Sequence, residues 1–293
     1  MERREVYFPC KGGVACHGIL YRPEDPAGPG LVMAMGFGMV KEAHADDYAP
    51  FFVEKGFTVL AFDYRYFGRS GGWPRQYLDP YAQVDDYRCA IRYLKREGLV
   101  DPSKICVWGT SFSGGHVLTL LAFPEPGVEC GIAQVPNVYS YRTALEYFGS
   151  LDPVMALAAQ ADGESCGSRP GYVPIVSREG PSVIRAEEAV EYYLEKEREL
   201  ETFENRVTAD SIPRVLAYNP GDYASLIRKP IMMVIVSRDQ TTPPSLAREV
   251  ASRIQGPVEL LEVEGGHFDV YRQPLLERIA RAEAEWAFKT LIG

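Results

Sequence analysis

The stretch Ile105-Cys106-Val107-Trp108-Gly109-Thr110-Ser111-Phe112-Ser113-Gly114-Gly115-His116 constrains the chain most. A β-branched, apolar run stops at Gly109, and Ser111 follows two residues later. More small residues come next, then the helical run Val117-Leu118-Thr119-Leu120-Leu121. Strand, tight turn and helix therefore meet at a serine. That is the Gly-x-Ser-x-Gly elbow, with Ser113 in the last small position. Bulky side chains at 109 and 113 would keep strand and helix apart and bury the serine Oγ. The helix start adds backbone N–H groups and the positive end of a dipole. The plainer alternative is an ordinary Gly/Ser turn between two core elements. Ser113 is a rival centre, as Ser111-x-Ser113-x-Gly115, but it falls within the helix start, where an exposed Oγ is harder to arrange.

The 293 residues carry 46% hydrophobic and 24% charged side chains, an ordinary globular balance. A net charge of −9 with no basic block argues against nucleic acid or an anionic membrane surface as partner. No apolar run is long enough for a membrane span, and no apolar signal region follows Met1-Glu2-Arg3-Arg4-Glu5. The cysteines at 10, 16, 89, 106, 130 and 166 form no Cys-x-x-Cys pair. Free thiols in a reducing, cytoplasmic setting are expected, with no metal and no cofactor. Oligomeric state is open, a homodimer among the options.

Two strands are expected within residues 4–23, turning at Lys11-Gly12-Gly13, with the loop Pro23–Gly30 after them. Leu31–Met35, Phe57–Phe62, Glu129–Val135 and Pro230–Val236 read as strands buried on both faces. Helices are expected at 46–55 and after Asp79-Pro80, where Asp caps and Pro opens the first turn. Residues 84, 87, 91 and 94 mark the inner face of the second helix. Val258–Val263 is the last strand. A helix over about 273–291 turns Leu275, Ile279, Ala282 and Trp286 inward. This alternation predicts an α/β fold, a doubly wound and mostly parallel sheet. From 139 to 228 the alternation stops. A charged helix over roughly 184–204 is expected there, with Ala186, Val190, Tyr193 and Leu194 on one face and a solvated Glu-rich remainder. The expected organisation is a core of residues 1–138 and 229–293 with a helical cap at 139–228.

Such sheets place their sites at the C-terminal ends of strands. Ser111, Asp239 and His267 each stand just past one. A serine hydroxyl needs a base to take its proton, and the base needs an orienting acid. Of the four histidines, His17 lies in a strand, His44 in the loop after the third strand, and His116 inside the elbow helix. His267 follows a strand end in a Gly-Gly-His loop. Asp269 is too near His267 in sequence to turn back on it, and Asp222 lies in the cap or hinge, which leaves Asp239 as the acid.

Met35-Gly36-Phe37-Gly38, Asp63-Tyr64-Arg65-Tyr66-Phe67-Gly68-Arg69-Ser70, the elbow, Asp239 and Gly265-Gly266-His267-Phe268-Asp269 together resemble the α/β-hydrolase superfamily. Nearly the whole chain outside the cap takes part. Gly-Thr-Ser-Phe-Ser-Gly-Gly-His with Gly-His-Phe-Asp-Val-Tyr is similar, more narrowly, to polyketide transferases and dienelactone-hydrolase-like proteins. The resemblance implies a Ser111–Asp239–His267 triad and an oxyanion hole from the N–H groups of Phe37 and Phe112. Met35 stands where that loop commonly has His, and Tyr66 where the Asp-x-Arg-Gly-x-Gly-x-Ser signature has Gly. That signature is structural in the family.

The expected function is a serine hydrolase that cleaves or transfers the acyl group of a hydrophobic ester or thioester. Its partner is a small-molecule substrate, a carrier-bound acyl chain included. Cap aromatics, Tyr141, Tyr147 and Phe148 among them, are expected to touch substrate. Acyl transfer, C–C hydrolysis, cyclisation and peptidase action are alternatives on the same scaffold. A non-catalytic ligand-binding protein is the alternative of another class.

Overall fold

The computed structural model describes residues 1–24, 28–163 and 169–293. Asp25, Pro26 and Ala27 of the loop after the second strand, and Cys166, lie outside the described residues. The chain opens with a hairpin, β1 (Glu2–Pro9) and β2 (Ala15–Arg22), whose turn puts Gly12 and Gly13 at φ of 75°. Then strand and helix alternate: β3 (Gly30–Ala34), α1 (Ala45–Glu54), β4 (Thr58–Phe62), α2 (Pro80–Arg96), β5 (Ile105–Thr110), α3 (Phe112–Ala122) and β6 (Val128–Gln134). Asp79 caps α2 as expected, accepting the N–H groups of Tyr81 and Ala82 at 3.0 and 3.1 Å.

Between β6 and the next sheet strand lie α4 (Ser140–Phe148), α5 (Asp152–Gly163), β7 (Tyr172–Pro174), α6 (Glu187–Glu199), β8 (Arg206–Thr208) and α7 (Ser211–Leu216). The charged helix is shorter than expected, and β7 and β8 pair antiparallel in a two-stranded sheet that the sequence pattern did not indicate. The buried face of α6 is also shifted. It holds Ala189, Tyr192 and Tyr193, with Ala186, Val190 and Leu194 at the margin, because the Tyr192 ring stacks on Phe268.

The chain returns through β9 (Ile231–Val236), α8 (Pro244–Ala251), β10 (Val258–Val263) and α9 (Leu275–Ile292). The eight-stranded sheet has the order β1-β2-β4-β3-β5-β6-β9-β10, with only the β1–β2 and β2–β4 pairs antiparallel. Strands β3, β4, β5 and β9 are buried throughout, which explains their unbroken apolar runs. Helices α1 and α9 pack together on one face, and α2, α3 and α8 cover the other. The inner face of α9 is centred on Leu276, Ile279, Ala280, Glu283 and Ala287, while Leu275, Ala282 and Trp286 stand at its edge. The offset arises because the buried Glu283 accepts the Trp108 indole N–H at 2.9 Å, whereas periodicity reads a glutamate as solvent-facing. No helix among the described residues is long and apolar enough to cross a membrane.

The Asp63 signature braces the C-terminal end of β4, an interior strand. Asp63 accepts the Lys41 N–H at 2.8 Å, the Lys41 ammonium at 2.7 Å and the Arg69 N–H at 3.0 Å. Arg65 is bonded to the buried Asp86. Tyr66, at the position where Gly is usual, adopts φ of 74°, a left-handed backbone that glycine would hold without strain.

Candidate active site

Strand β5 ends inside the sheet, and the chain must turn at once to start α3. Ser111 makes that turn at φ 56°, ψ −118°. A side chain at Gly109 would put its Cβ 2.2 Å from the Ser113 carbonyl oxygen, so only glycine lets strand and helix close. The turn is held on both sides. The Ser111 N–H donates to Gln134 O at 2.8 Å, and its carbonyl accepts the Asn137 N–H at 2.9 Å. Ser113 is buried and engaged, its Oγ bonded to the Met35 carbonyl and 2.5 Å from the Tyr64 hydroxyl.

His267, past the end of β10, brings Nε2 to 3.0 Å from Ser111 Oγ. Its Nδ1 lies 2.8 Å from Asp239 Oδ2, past the end of β9, and both side chains are buried. A carboxylate only accepts, so Nδ1 carries the proton and Nε2 is left to accept from the serine. Asp239 is oriented in turn. Its Oδ1 accepts the N–H groups of Thr241 and Thr242 at 2.8 and 2.6 Å. Thr242 Oγ1 stands 2.9 Å from Oδ2 and 3.2 Å from His267 Nδ1. The run Asp239-Gln240-Thr241-Thr242 already carries the signal for this Asx turn. Asp269 instead accepts the Gly266 N–H at 2.8 Å and shapes the loop.

Phe112 is the first residue of α3, so its N–H has no acceptor within the helix. Gly36 packs against the serine, where a Cβ would lie 2.9 Å from Ser111 Cβ. The Gly36 carbonyl turns to the Met39 N–H at 3.2 Å, which directs the N–H of the same peptide, that of Phe37, to the opposite side. The two rings meet edge to face at 5.4 Å.

One side of Ser111 opens on a cavity of about 660 Å³, its open mouth included. Phe37, Phe112, Ala144, Phe148, Val154, Ile184, Ile212 and Leu216 give it apolar walls. Tyr147 lines it as well and is 37% exposed. Tyr141 does not reach it, a correction to expectation. Residues 140, 144 and 148 of α4 share the inward face, and Tyr141, one position round the helix, is 45% exposed beside Arg142 and Asn219. A smaller space of about 260 Å³ borders the other side of Ser111, between Gly36, His44, Tyr192, His267 and Tyr271.

None of the other histidines is bonded to Ser111. His116 sits between Tyr218 Oη at 2.9 Å and Gln83 Oε1 at 3.0 Å, and burial pushes its pKa down to about 3. His44 Nε2 meets the Tyr192 hydroxyl at 2.6 Å, and burial lowers its pKa too. His17 lies beside Glu42 and Asp63, but the Lys41 ammonium already fills the place of a cation between those acids, at 2.6 and 2.7 Å. A second group, Cys10, Cys16 and Asp86, has its acid taken by Arg65. Glu188, in the first turn of α6, belongs to the Glu-rich run that the sequence pattern places in solvent. This side chain accepts the His267 N–H at 3.0 Å.

A family model described as alpha/beta hydrolase fold matches residues 29–274. The chain is 31% identical to the quorum-quenching protein AidA of Acinetobacter baumannii, over 93% of this chain and 90% of that one. It is also 31% identical to the polyketide transferase af380 of Aspergillus fumigatus, over 99% of each. The crystal structure of the alpha/beta hydrolase GrgF from a Penicillium species superposes with a TM-score of 0.85, at 28% identity over the full length of both chains.

Proposed function

The chain belongs to the α/β-hydrolase family of enzymes, and from that membership we propose that it cleaves or transfers the acyl group of a hydrophobic ester or thioester through an acyl-enzyme on Ser111. The observation that carries the reading is the relay Ser111–His267–Asp239, at 3.0 and 2.8 Å, beside an apolar cavity. In this mechanism Ser111 Oγ attacks the carbonyl carbon as Nε2 of His267 takes its proton. Asp239 stabilises the imidazolium, and the N–H groups of Phe37 and Phe112 receive the oxyanion. The tetrahedral intermediate collapses, His267 returns the proton to the leaving oxygen or sulfur, and the acyl group stays on Ser111. Water, or an alcohol or amine acceptor, then repeats the sequence in reverse.

The acyl chain is assigned to the cavity under residues 139–228, which we read as a cap. Each methylene buried there contributes about 0.8 kcal/mol, so medium and bulky acyl groups should outperform acetyl. Apolar walls also limit water at the acyl-enzyme, and the name of the relative af380 accords with transfer to another acceptor. Free and carrier-bound acyl thioesters both fit this reading. The test is a chain-length series of p-nitrophenyl esters and acyl thioesters, run with and without an added alcohol. We expect kcat/KM to rise from acetyl to medium-chain substrates and the alcohol to capture part of the acyl group. A steady fall from acetyl upwards rejects the assignment of the cavity, and partitioning indifferent to the alcohol rejects transfer to it.

A further inference from the structure

The mechanism above leaves unused one carboxylate that touches two of its loops. Glu188, in the first turn of α6, reaches down to the strand ends of the sheet. Its Oε2 accepts the backbone N–H of His267 at 3.0 Å. Its Oε1 accepts the backbone N–H of Gln240 at 3.0 Å and the Thr241 hydroxyl at 3.1 Å. Gln240 and Thr241 follow Asp239 directly on the loop after β9, and His267 lies on the loop after β10. One rigid group thus ties the backbone beside the acid to the backbone of the base. Burial, with Asp239 adding to it, holds the Glu188 carboxyl above the usual carboxylate range, and His267 with the Gln240 and Thr241 bonds offsets that rise only in part. The loop makes room for it: a Cβ on Gly266 would stand 2.4 Å from Glu188 Oε2. The same helix reaches the third loop of the site, where the Tyr193 hydroxyl donates to the Phe37 carbonyl at 2.8 Å.

We propose that Glu188 is a positioning residue. By holding the loops after β9 and β10 at one separation, it sets the Asp239–His267 contact and so the aim of Nε2 at Ser111. The inference rests on the reading of Ser111, His267 and Asp239 given above. It makes the insertion a structural partner of the proton relay as well as a wall of the cavity.

Glu188→Ala, Glu188→Gln and Gly266→Ala are compared with wild type and with Glu187→Ala, which alters the exposed neighbour. Gln keeps the shape but turns an NH₂ toward a donor, so it tests the acceptor even if the Ala variant does not fold. Four quantities are read: kcat and KM for a soluble ester, the rate of fluorophosphonate labelling, and the low-field proton resonance of the His267–Asp239 bond. Misplacing a reacting group by about 1 Å can cost about 100-fold. We expect kcat and labelling rate to fall together by about 10- to 100-fold in the three variants. KM should move by less than about 3-fold, and the low-field resonance should shift or broaden. Glu187→Ala should match wild type in all four. Labelling within about 2-fold of wild type in Glu188→Gln, with the resonance unmoved, overturns the proposal, as does a loss confined to KM. Wild type that is not labelled at Ser111 defeats the catalytic reading itself, an outcome distinct from variants that react as fast as a reactive wild type.

Discussion

Ser111 holds a left-handed backbone at φ 56° that costs on the order of 1–3 kcal/mol, and the bonds to Gln134 and Asn137 keep it there. At this scale the sequence was most legible. Ser111 and Asp239 follow the buried strands β5 and β9 and His267 follows the half-exposed β10, so chain order and strand ends pointed to three side chains that the fold brings within hydrogen-bond reach. Tyr141 was not separable from Tyr147 and Phe148, because the side of α4 that faces the sheet depends on how that helix docks. Asp239 and Asp269 are the sharper pair to test. Asp239→Asn should lower kcat by up to about 10⁴ by favouring the wrong imidazole tautomer, whereas Asp269→Asn keeps an oxygen to accept the Gly266 N–H and should be mild. Steady-state kinetics on the two variants decides, and a crippled Asp269→Asn beside a mild Asp239→Asn would reverse the assignment. His267→Ala and Ser111→Ala should each cost several orders of magnitude. The double variant should be no worse than either alone, since the two side chains act as one unit. Additive losses would mean that they act independently.

The β5–α3 elbow depends on one missing methyl group. The Cβ in Gly109→Ala would press on the Ser113 backbone carbonyl, where no flexible side chain can yield. A stability loss of about 3 kcal/mol or more is expected, read by urea unfolding, together with loss of probe labelling. A variant within about 0.5 kcal/mol of wild type would show that the elbow can relax. The elements between β6 and β9 were the least legible. Strands β7 and β8 have three residues each, too few for a period to show. In α6 the run Glu187-Glu188-Ala189-Val190-Glu191 reads as a solvated helix start. The contacts of Glu188 become visible only once β9 and β10 bring two distant loops beneath it.

Across the whole molecule, the packing of α9 on the sheet encloses an ionisable group that the proposed chemistry does not use. Burial pushes the Glu283 carboxyl from 4.5 up to about 8, while the Trp108 bond pulls the other way. Above about pH 4.5 the unfolded chain ionises this group and the folded chain does not, so each rise in pH favours unfolding until the folded carboxyl ionises near 8. Its contribution to stability therefore declines between those values, by on the order of a few kcal/mol. Glu283→Gln keeps an acceptor for Trp108 and cannot ionise. Urea unfolding should show it gaining on wild type as pH rises from 5 to 9, and parallel curves would contradict a buried, protonated Glu283. The proposed chemistry turns on a covalent bond formed at Ser111. Mass spectrometry after treatment with a fluorophosphonate tests it most directly. Wild type should gain one phosphonyl group on the peptide containing Ser111, and Ser111→Ala should gain none and lose turnover. Equal labelling of Ser111→Ala, or turnover that survives the substitution, would contradict it.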